Sequence, residues 1–315
     1  MLKDLWRKWR EPKPFHEGYL PEADGHHIYF AEYGNPKGQV VLVTHGGPGG
    51  ASHVGHLAGF CLKKYRVIRF DQRGCGKSLP FGKLENNTMD DLVWDIKRLY
   101  DYLHLSGKVI LRGGSWGSTV MLCFAEKYPE LVKMMILSQI FLADKVADDW
   151  FNQQSALFYP EFIEKMTKQA GTWKTLPEYY WELINAKDEK KRLLALNQYG
   201  WYERVLGNFY PHFGKFEQAD EQNVQELRIY LHYAIKAFTL KNNQIMRHVR
   251  KISHIPTLLL HNRLDMCCPL FSAYKLHQKM TASELKIAGG IGHTNPKLKA
   301  FMTKEIARYL EKNNQ

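Results

Sequence analysis

The sequence lacks any apolar run long enough to cross a membrane, which takes roughly 18–20 residues. Residues 1–10 are basic but contain no apolar core and no small-residue cleavage site, so they do not resemble a secretion signal. A docked or frayed terminus or a short amphipathic surface helix fits this segment. We therefore expect no stable membrane insertion.

Paired cysteines and metal-binding spacings are also missing. The five cysteines are Cys61, Cys75, Cys123, Cys267 and Cys268, an odd number with no Cys-x-x-Cys pair. This pattern indicates neither a disulfide framework nor a zinc site, and it favours a reduced, cytoplasmic protein. We expect no metal and no organic cofactor.

Blocks of like charge are absent although the net charge is +12. No run of five Lys or Arg residues occurs, so the basic residues predict a solvated surface rather than a nucleic-acid site. Residues 76–78 read Gly-Lys-Ser, the end of a phosphate-binding loop, but that motif needs glycine where the chain has Asp71. A phosphate-binding loop is thereby excluded.

The 315 residues, 44% of them hydrophobic, are enough for one large domain with an inserted subdomain. Apolar stretches of strand length alternate with helical patterns, and this predicts an α/β fold with a mostly parallel, doubly wound sheet. Thr88 is a predicted helix N-cap. The predicted strands are a hairpin over 17–34 that turns at 23–25, then 40–44, 66–70, 108–112, 134–137, 256–261 and 284–288.

The alternation stops over residues 140–252. This segment predicts helices without a convincing strand, and it holds nearly half of the chain's Phe, Trp and Tyr residues. An aromatic-rich helical insertion is typical of a cap over an active site. We therefore predict a core formed by 1–139 and 253–315, with 140–252 as a helical cap.

A nucleophile motif lies between a predicted strand and a predicted helix. Residues 113–117 read Gly-Gly-Ser-Trp-Gly, directly after the strand 108–112. The order of strand, tight turn and helix is that of a nucleophile elbow, in which small residues must flank the strained serine. Ser115 is the predicted nucleophile.

A serine hydroxyl needs a base and an acid that orients the base. In the chain order of α/β hydrolases the acid follows a late strand and the histidine follows the last one. Asp265 and His293 occupy these two positions, and both would lie beside the elbow at the carboxyl ends of strands.

Two backbone amides are needed to stabilise the oxyanion. One is predicted from Trp116, the residue after the nucleophile. The other comes from the glycine-rich loop at 45–50, where either Gly46 or Gly47 could donate. The sequence does not choose between them.

Several blocks resemble the proline iminopeptidase (prolyl aminopeptidase) family. They are residues 45–49 (His-Gly-Gly-Pro-Gly), 71–78 (Asp-Gln-Arg-Gly-Cys-Gly-Lys-Ser), 113–119 (Gly-Gly-Ser-Trp-Gly-Ser-Thr), 261–266 (His-Asn-Arg-Leu-Asp-Met) and 292–293 (Gly-His). The resemblance implies an α/β-hydrolase fold with a helical cap, and a serine peptidase that removes N-terminal proline. It also implies structural rather than catalytic roles for Asp71 and Arg73.

The family holds the substrate's free amine with acidic groups of the cap. Residues 199–203 (Tyr-Gly-Trp-Tyr-Glu) resemble its Trp-x-x-Trp-Glu block, so the resemblance implies that Glu203 is one such group. Tyr230 stands where the family has a second glutamate, and Ser138 stands where it has arginine. Glu226 and Glu221 lie in the same stretch as Tyr230, and the sequence gives no geometry for them.

We predict a serine hydrolase that forms an acyl-enzyme and acts on a small peptide, amide or ester. The leading hypothesis is the release of N-terminal proline or another small residue. An esterase or amidase for small apolar acyl groups, with no need for a free amine, is the first alternative. A noncatalytic binding protein with the same fold is the second. The sequence leaves the oligomeric state open.

Overall fold

The computed structural model describes residues 12–172, 175–210, 212 and 214–313. The interpretation of residues 1–10 therefore lies outside the described residues. The eight strands of the described sheet are β1 (His16–Tyr19), β2 (Tyr29–Gly34), β3 (Gln39–Thr44), β4 (Tyr65–Phe70), β5 (Val109–Gly114), β6 (Val132–Ser138), β7 (Thr257–Leu264) and β8 (Ser283–Ile291).

The strands form one sheet in the order β1-β2-β4-β3-β5-β6-β7-β8. The pairs β1–β2 and β2–β4 are antiparallel, and all the others are parallel. The mostly parallel sheet predicted from the alternating pattern is confirmed. Its parallel arrangement brings the carboxyl ends of β3, β5, β6, β7 and β8 to one edge.

One strand is longer than predicted. The sequence predicted the last strand over 284–288, whereas β8 continues to Ile291. The backbone pairing of Leu264 with Ile291 and the bond from the Gly290 amide to Asn262 Oδ1 (2.8 Å) extend the strand through the glycines. The predicted end of the strand was wrong because cross-strand pairing outweighs the low strand propensity of glycine.

The described helices are α1 (Met89–Tyr102), α2 (Trp116–Lys127), α3 (Lys145–Asn152), α4 (Pro160–Ala170), α5 (Leu176–Ile184), α6 (Glu189–Ala195), α7 (Trp201–Asn208), α8 (Glu221–Ala234), α9 (Gln244–His248), α10 (Leu270–Lys279) and α11 (Pro296–Asn313). Thr88 caps α1 as predicted, because its side chain accepts from the Asp91 amide while the Asp91 carboxylate accepts from the Thr88 amide. None of the described helices is long and apolar enough to span a bilayer.

Apolar side chains cover both faces of the sheet. One cluster joins α1 and α2 to strand residues such as Leu111 and Leu137, and a second joins α11 to strand residues such as Val43 and Ile136. Burial of these continuous apolar strands is the main stabilising contribution to the sheet.

Helices α3–α9, with short turns between them, connect β6 to β7. Many of their side chains form a third apolar cluster, which is rich in tyrosine and phenylalanine and includes Tyr180, Tyr199 and Tyr202. The division of the chain into a core and a separate cap stays a prediction.

Candidate active site

Ser115 lies between β5 and α2 in a strained backbone conformation. Its φ is 55° and its ψ is −130°, values that a non-glycine residue adopts only where the surroundings enforce them. A Cβ at Gly113 would lie 2.2 Å from the Gly117 carbonyl oxygen, and one at Gly117 would lie 2.7 Å from the His45 carbonyl oxygen. The two glycines therefore allow the close approach that turns Ser115 out of the strand.

The structure brings His293 and Asp265 together at the same edge of the sheet. His293 Nδ1 and Asp265 Oδ2 are 2.8 Å apart, and the Asp265 side chain is fully buried. The other carboxylate oxygen of Asp265 accepts the backbone amides of Cys267 (3.0 Å) and Cys268 (2.9 Å). These bonds fix the carboxylate so that it holds the imidazole in one orientation.

The two groups shift each other's protonation. Burial opposes the charged form of Asp265, but the neighbouring His293 outweighs it and holds the pKa of the carboxyl below its usual value. Burial likewise lowers the pKa of His293, yet the Asp265 charge and hydrogen bond raise it above its usual value overall. An imidazole stabilised in its protonated form is suited to take a proton from serine.

Three further groups position the histidine, and sequence reasoning did not identify them. Gln139 Nε2 donates to the His293 carbonyl oxygen (2.7 Å), and the His293 amide donates to the Gly207 carbonyl oxygen (2.6 Å). His261 Nε2 lies 3.7 Å from Asp265 Oδ2. Gln139 directly follows β6 and therefore lies at the carboxyl edge of the sheet. This position is the feature of the sequence that could have identified it as a site residue.

The Ser115 side chain lines one cavity together with His293. Its hydroxyl has the Cys268 thiol as a hydrogen-bonding neighbour. A bond from the hydroxyl to His293 is not among those formed by the described residues, and such contacts often tighten only when substrate binds.

Both candidate oxyanion donors lie beside the nucleophile. Trp116 is the first residue of α2, so its amide has no acceptor within the helix. A Cβ at Gly46 would lie 3.9 Å from Ser115 Oγ and 3.2 Å from the Gly114 carbonyl oxygen. Gly46 and Gly47 both line the cavity that contains Ser115, and this geometry does not separate the two amides.

A pocket of about 300 Å³ adjoins His293 on the side of α7 and α8. Glu203 and Glu226 both line it, together with Tyr230 and Cys267. We call it the acidic pocket. Burial is the main cause that raises the pKa of Glu203, and the nearby carboxylate of Glu226 adds to the rise while His293 opposes it.

Glu226 is the acidic residue that the sequence could not select. It lies one helical turn before Tyr230 on α8, and residues four apart share a helix face. Glu221 is instead exposed and accepts from Gln225 Nε2. Tyr230 also lines the acidic pocket, where its ring packs 6.0 Å from that of Tyr199 and burial raises the pKa of its hydroxyl.

Asp71 and Arg73 make contacts that stabilise loops. Asp71 accepts the backbone amides of Ser52 (2.7 Å) and Lys77 (2.8 Å), and Arg73 Nε donates to Asp95 Oδ2 (2.6 Å). Neither residue lines the acidic pocket or the cavity that contains Ser115.

A guanidinium group also reaches Ser138, where the resembling family has arginine. Arg112 of β5 donates from Nη1 to Ser138 Oγ (3.1 Å) and to the Gly113 carbonyl oxygen (2.6 Å). Gly114 of β5 pairs with Ser138 of β6, so the two strands end side by side. An arginine on either strand can therefore bring a guanidinium group to this place.

The sheet, the elbow and the pair of His293 and Asp265 define an α/β hydrolase with a serine nucleophile. A family model described as alpha/beta hydrolase fold matches residues 39–299. The chain is 33% identical over 310 residues to a proline iminopeptidase of Arabidopsis thaliana, covering 92% of this chain and 81% of that one. It is 35% identical over 283 residues to one of Neisseria meningitidis serogroup A, covering 87% and 89%. The chain belongs to the proline iminopeptidase family of α/β hydrolases.

A solved structure gives the same fold at lower identity. The proline iminopeptidase-related protein of Thermus thermophilus superposes with a TM-score of 0.59 and 18% identity, over 94% of this chain and 97% of that one. At this identity the likeness shows the fold alone.

Proposed function

We propose that this serine hydrolase releases N-terminal proline from short peptides. The observation that carries the proposal is the acidic pocket, in which Glu203 and Glu226 face a common space next to His293. Both carboxylates are half-buried, and two such carboxylates facing one pocket favour a cationic ligand, of which the free amine of a peptide is an example. The family relationship supports the same reading.

The proposed mechanism begins with attack of Ser115 Oγ on the carbonyl carbon of the first residue. His293 accepts the serine proton and then donates it to the leaving amine, while Asp265 holds the imidazole in place. The amides of Trp116 and of Gly46 or Gly47 stabilise the oxyanion. Water then attacks the acyl-enzyme. His293 accepts a proton from this water and donates it to Ser115 Oγ as the serine leaves.

Tyr230 favours a second candidate function. Tyr230 lines the acidic pocket, and in the sequence it stands where the resembling family has a glutamate. An esterase or amidase for small apolar acyl groups would need no amine-binding charge at that position. The two candidates therefore differ in whether a free α-amine on the substrate matters.

The test compares the hydrolysis of proline β-naphthylamide, N-acetyl-proline β-naphthylamide and a short p-nitrophenyl ester. We expect kcat/KM for the free amine to exceed that for the acetylated compound by about 100-fold, since a charge-assisted contact of about 3 kcal/mol is lost on acetylation. Equal cleavage of both amides, or of the ester alone, would contradict the proposal. Absence of labelling by a fluorophosphonate would instead indicate a noncatalytic protein.

A cytoplasmic location stays a prediction. All five cysteines are free thiols in the structure, as expected for a reducing compartment.

A further inference from the structure

A second cavity, of about 680 Å³, extends from Ser115 and His293 to the residue range 53–58 and α11. Its charged lining is mainly positive, because Arg112 and Lys299 line it, and two histidines, His53 and His56, line it as well. We call it the basic cavity. Glu203 stands at its border and is shared with the acidic pocket.

The Arg112 guanidinium lacks a counter-ion. Its Nη1 donates to two backbone carbonyls and to Ser138 Oγ, while Nε and Nη2 have no protein acceptor among the described residues. No carboxylate in the described part of the chain lies within ion-pair distance of it. Burial alone lowers the pKa of Arg112 to about 10, so the group still carries its charge at neutral pH.

His53 and His56 offer hydrogen-bond donors to a ligand, and they supply no negative charge that could balance Arg112. Their rings stack with centroids 3.9 Å apart. His53 Nδ1 accepts the Gly55 amide (3.1 Å) and His56 Nδ1 accepts the His53 amide (3.2 Å), so in the neutral rings the proton is on Nε2. Burial is the main cause that lowers the pKa of His56, to about 2.

Arg112 is half-buried and none of its nitrogens is a buried atom without a partner, so Nε and Nη2 stay accessible to a ligand. A partly desolvated guanidinium is stabilised by an anion that pairs with it. Its planar fork matches a carboxylate, which can accept two parallel N–H bonds. Lys299, on the exposed first turn of α11, adds a second cation to the lining of the cavity. The basic cavity is therefore suited to a carboxylate.

The acidic pocket has two carboxylates and one guanidinium, Arg204, whereas the basic cavity has two cations and one carboxylate, so their net charges are opposite. His293 and Gly47 line both of them. A ligand that spans them would have an ammonium group at one end and a carboxylate at the other, with its scissile bond near Ser115. An unblocked di- or tripeptide has this charge pattern.

We propose that the basic cavity binds the C-terminal carboxylate of a short peptide substrate through the Arg112 guanidinium. This proposal rests on the proposed function, because it places the leaving group of the peptide in the basic cavity. It makes the enzyme selective for short peptides with both termini free.

The experiment compares prolyl-alanine with prolyl-alaninamide, which differ only in the carboxylate. We expect kcat/KM of the unmodified enzyme to be at least about tenfold higher for the free acid. The Arg112→Gln variant should reduce that ratio to within about twofold of unity, and Arg112→Lys should restore part of it. A ratio near one in the unmodified enzyme would overturn the proposal.

Lys299→Gln offers a second test if Arg112→Gln does not fold. It should lower the ratio, whereas the matched control Lys304→Gln, an exposed lysine of the same helix, should leave it unchanged. An equal response of the two lysine variants would contradict a carboxylate site in this cavity, and so would a folded Arg112→Gln variant that retains the full ratio.

Calorimetric titration separates this proposal from the proposed function. Ser115→Ala protein should bind prolyl-alanine about tenfold more tightly than prolyl-alaninamide whether or not the enzyme is a peptidase. If no proline substrate is cleaved but this preference is found, the proposed function fails and the carboxylate site stands. Equal affinities would refute the site.

Discussion

Glu203 of α7 and Glu226 of α8 line one pocket, where burial and then the charge of Glu226 raise the pKa of Glu203. They come from two different helices, so the pair exists only because α7 packs beside α8. Tyr230, one turn further along α8, faces the same space. Glu226 places a carboxylate in this pocket four residues before the position at which the resembling family has its second glutamate.

Replacing Glu226 by Gln should weaken recognition of the substrate amine. We expect kcat/KM for proline β-naphthylamide to fall by about 10- to 100-fold, since a hydrogen bond to a charged group contributes about 1.5–3 kcal/mol. Cleavage of a p-nitrophenyl ester without an amine should change little. The matched control is Glu221→Gln on the same helix, at an exposed position. Equal effects of the two variants would argue against an amine-binding role for Glu226.

The sequence predicts Ser115, Asp265 and His293 as one site for a topological reason. Each follows a strand of a parallel sheet, and parallel strands end at a common edge. No knowledge of helix packing is needed to bring them together.

Glu226 and Arg112 required the structure. The face that Glu226 presents depends on how α8 lies against α7, which periodicity alone does not determine. Arg112 stands within an apolar run, and only the position of α11 shows that its side chain reaches a cavity. The extension of β8 through its glycines was missed because pairing with β7 outweighs local propensity.

Replacing Ser115 by Ala should abolish turnover and labelling by a fluorophosphonate. We expect kcat to fall by about 10³-fold or more, since the acyl-enzyme of the proposed mechanism forms on the hydroxyl of this serine. Thermal unfolding should change little, because alanine adopts the same backbone conformation with comparable strain. Ser106→Ala, at an exposed position, serves as the control. Residual activity within tenfold of the unmodified enzyme would exclude this serine as nucleophile.

Replacing Asp265 by Asn should lower kcat and shift its pH dependence. The neighbouring carboxylate raises the pKa of His293, and the histidine must be neutral to act as a base. Activity of the unmodified enzyme should therefore be lost as pH falls through a value above 6.5.

In the Asp265→Asn variant the acid limb should move to lower pH, and kcat should fall by roughly 10³-fold or more. Asp101→Asn, at an exposed site, provides the comparison. An unchanged acid limb would mean that Asp265 does not control the titration of His293.

Ionisation of Glu126 on α2 should lower the free energy of unfolding at neutral and higher pH. Its Oε1 is buried without a hydrogen-bond partner, and His248 Nδ1 lies 3.4 Å from its Oε2. Burial raises its pKa to about 8 from 4.5, and Lys251 opposes the rise only in part. A carboxyl whose pKa is raised by folding contributes stability that is complete below 4.5 and is lost as pH rises through about 8.

Glu126→Gln should therefore increase the free energy of unfolding by about 1–3 kcal/mol at pH 8, and this gain should vanish below pH 4.5. Urea titrations across this range measure the effect. Glu130→Gln, an exposed position in the turn after α2, should show no such dependence. A gain in the free energy of unfolding that is the same at every pH would show that the substitution acts through packing, because only the ionisation of Glu126 makes the gain depend on pH.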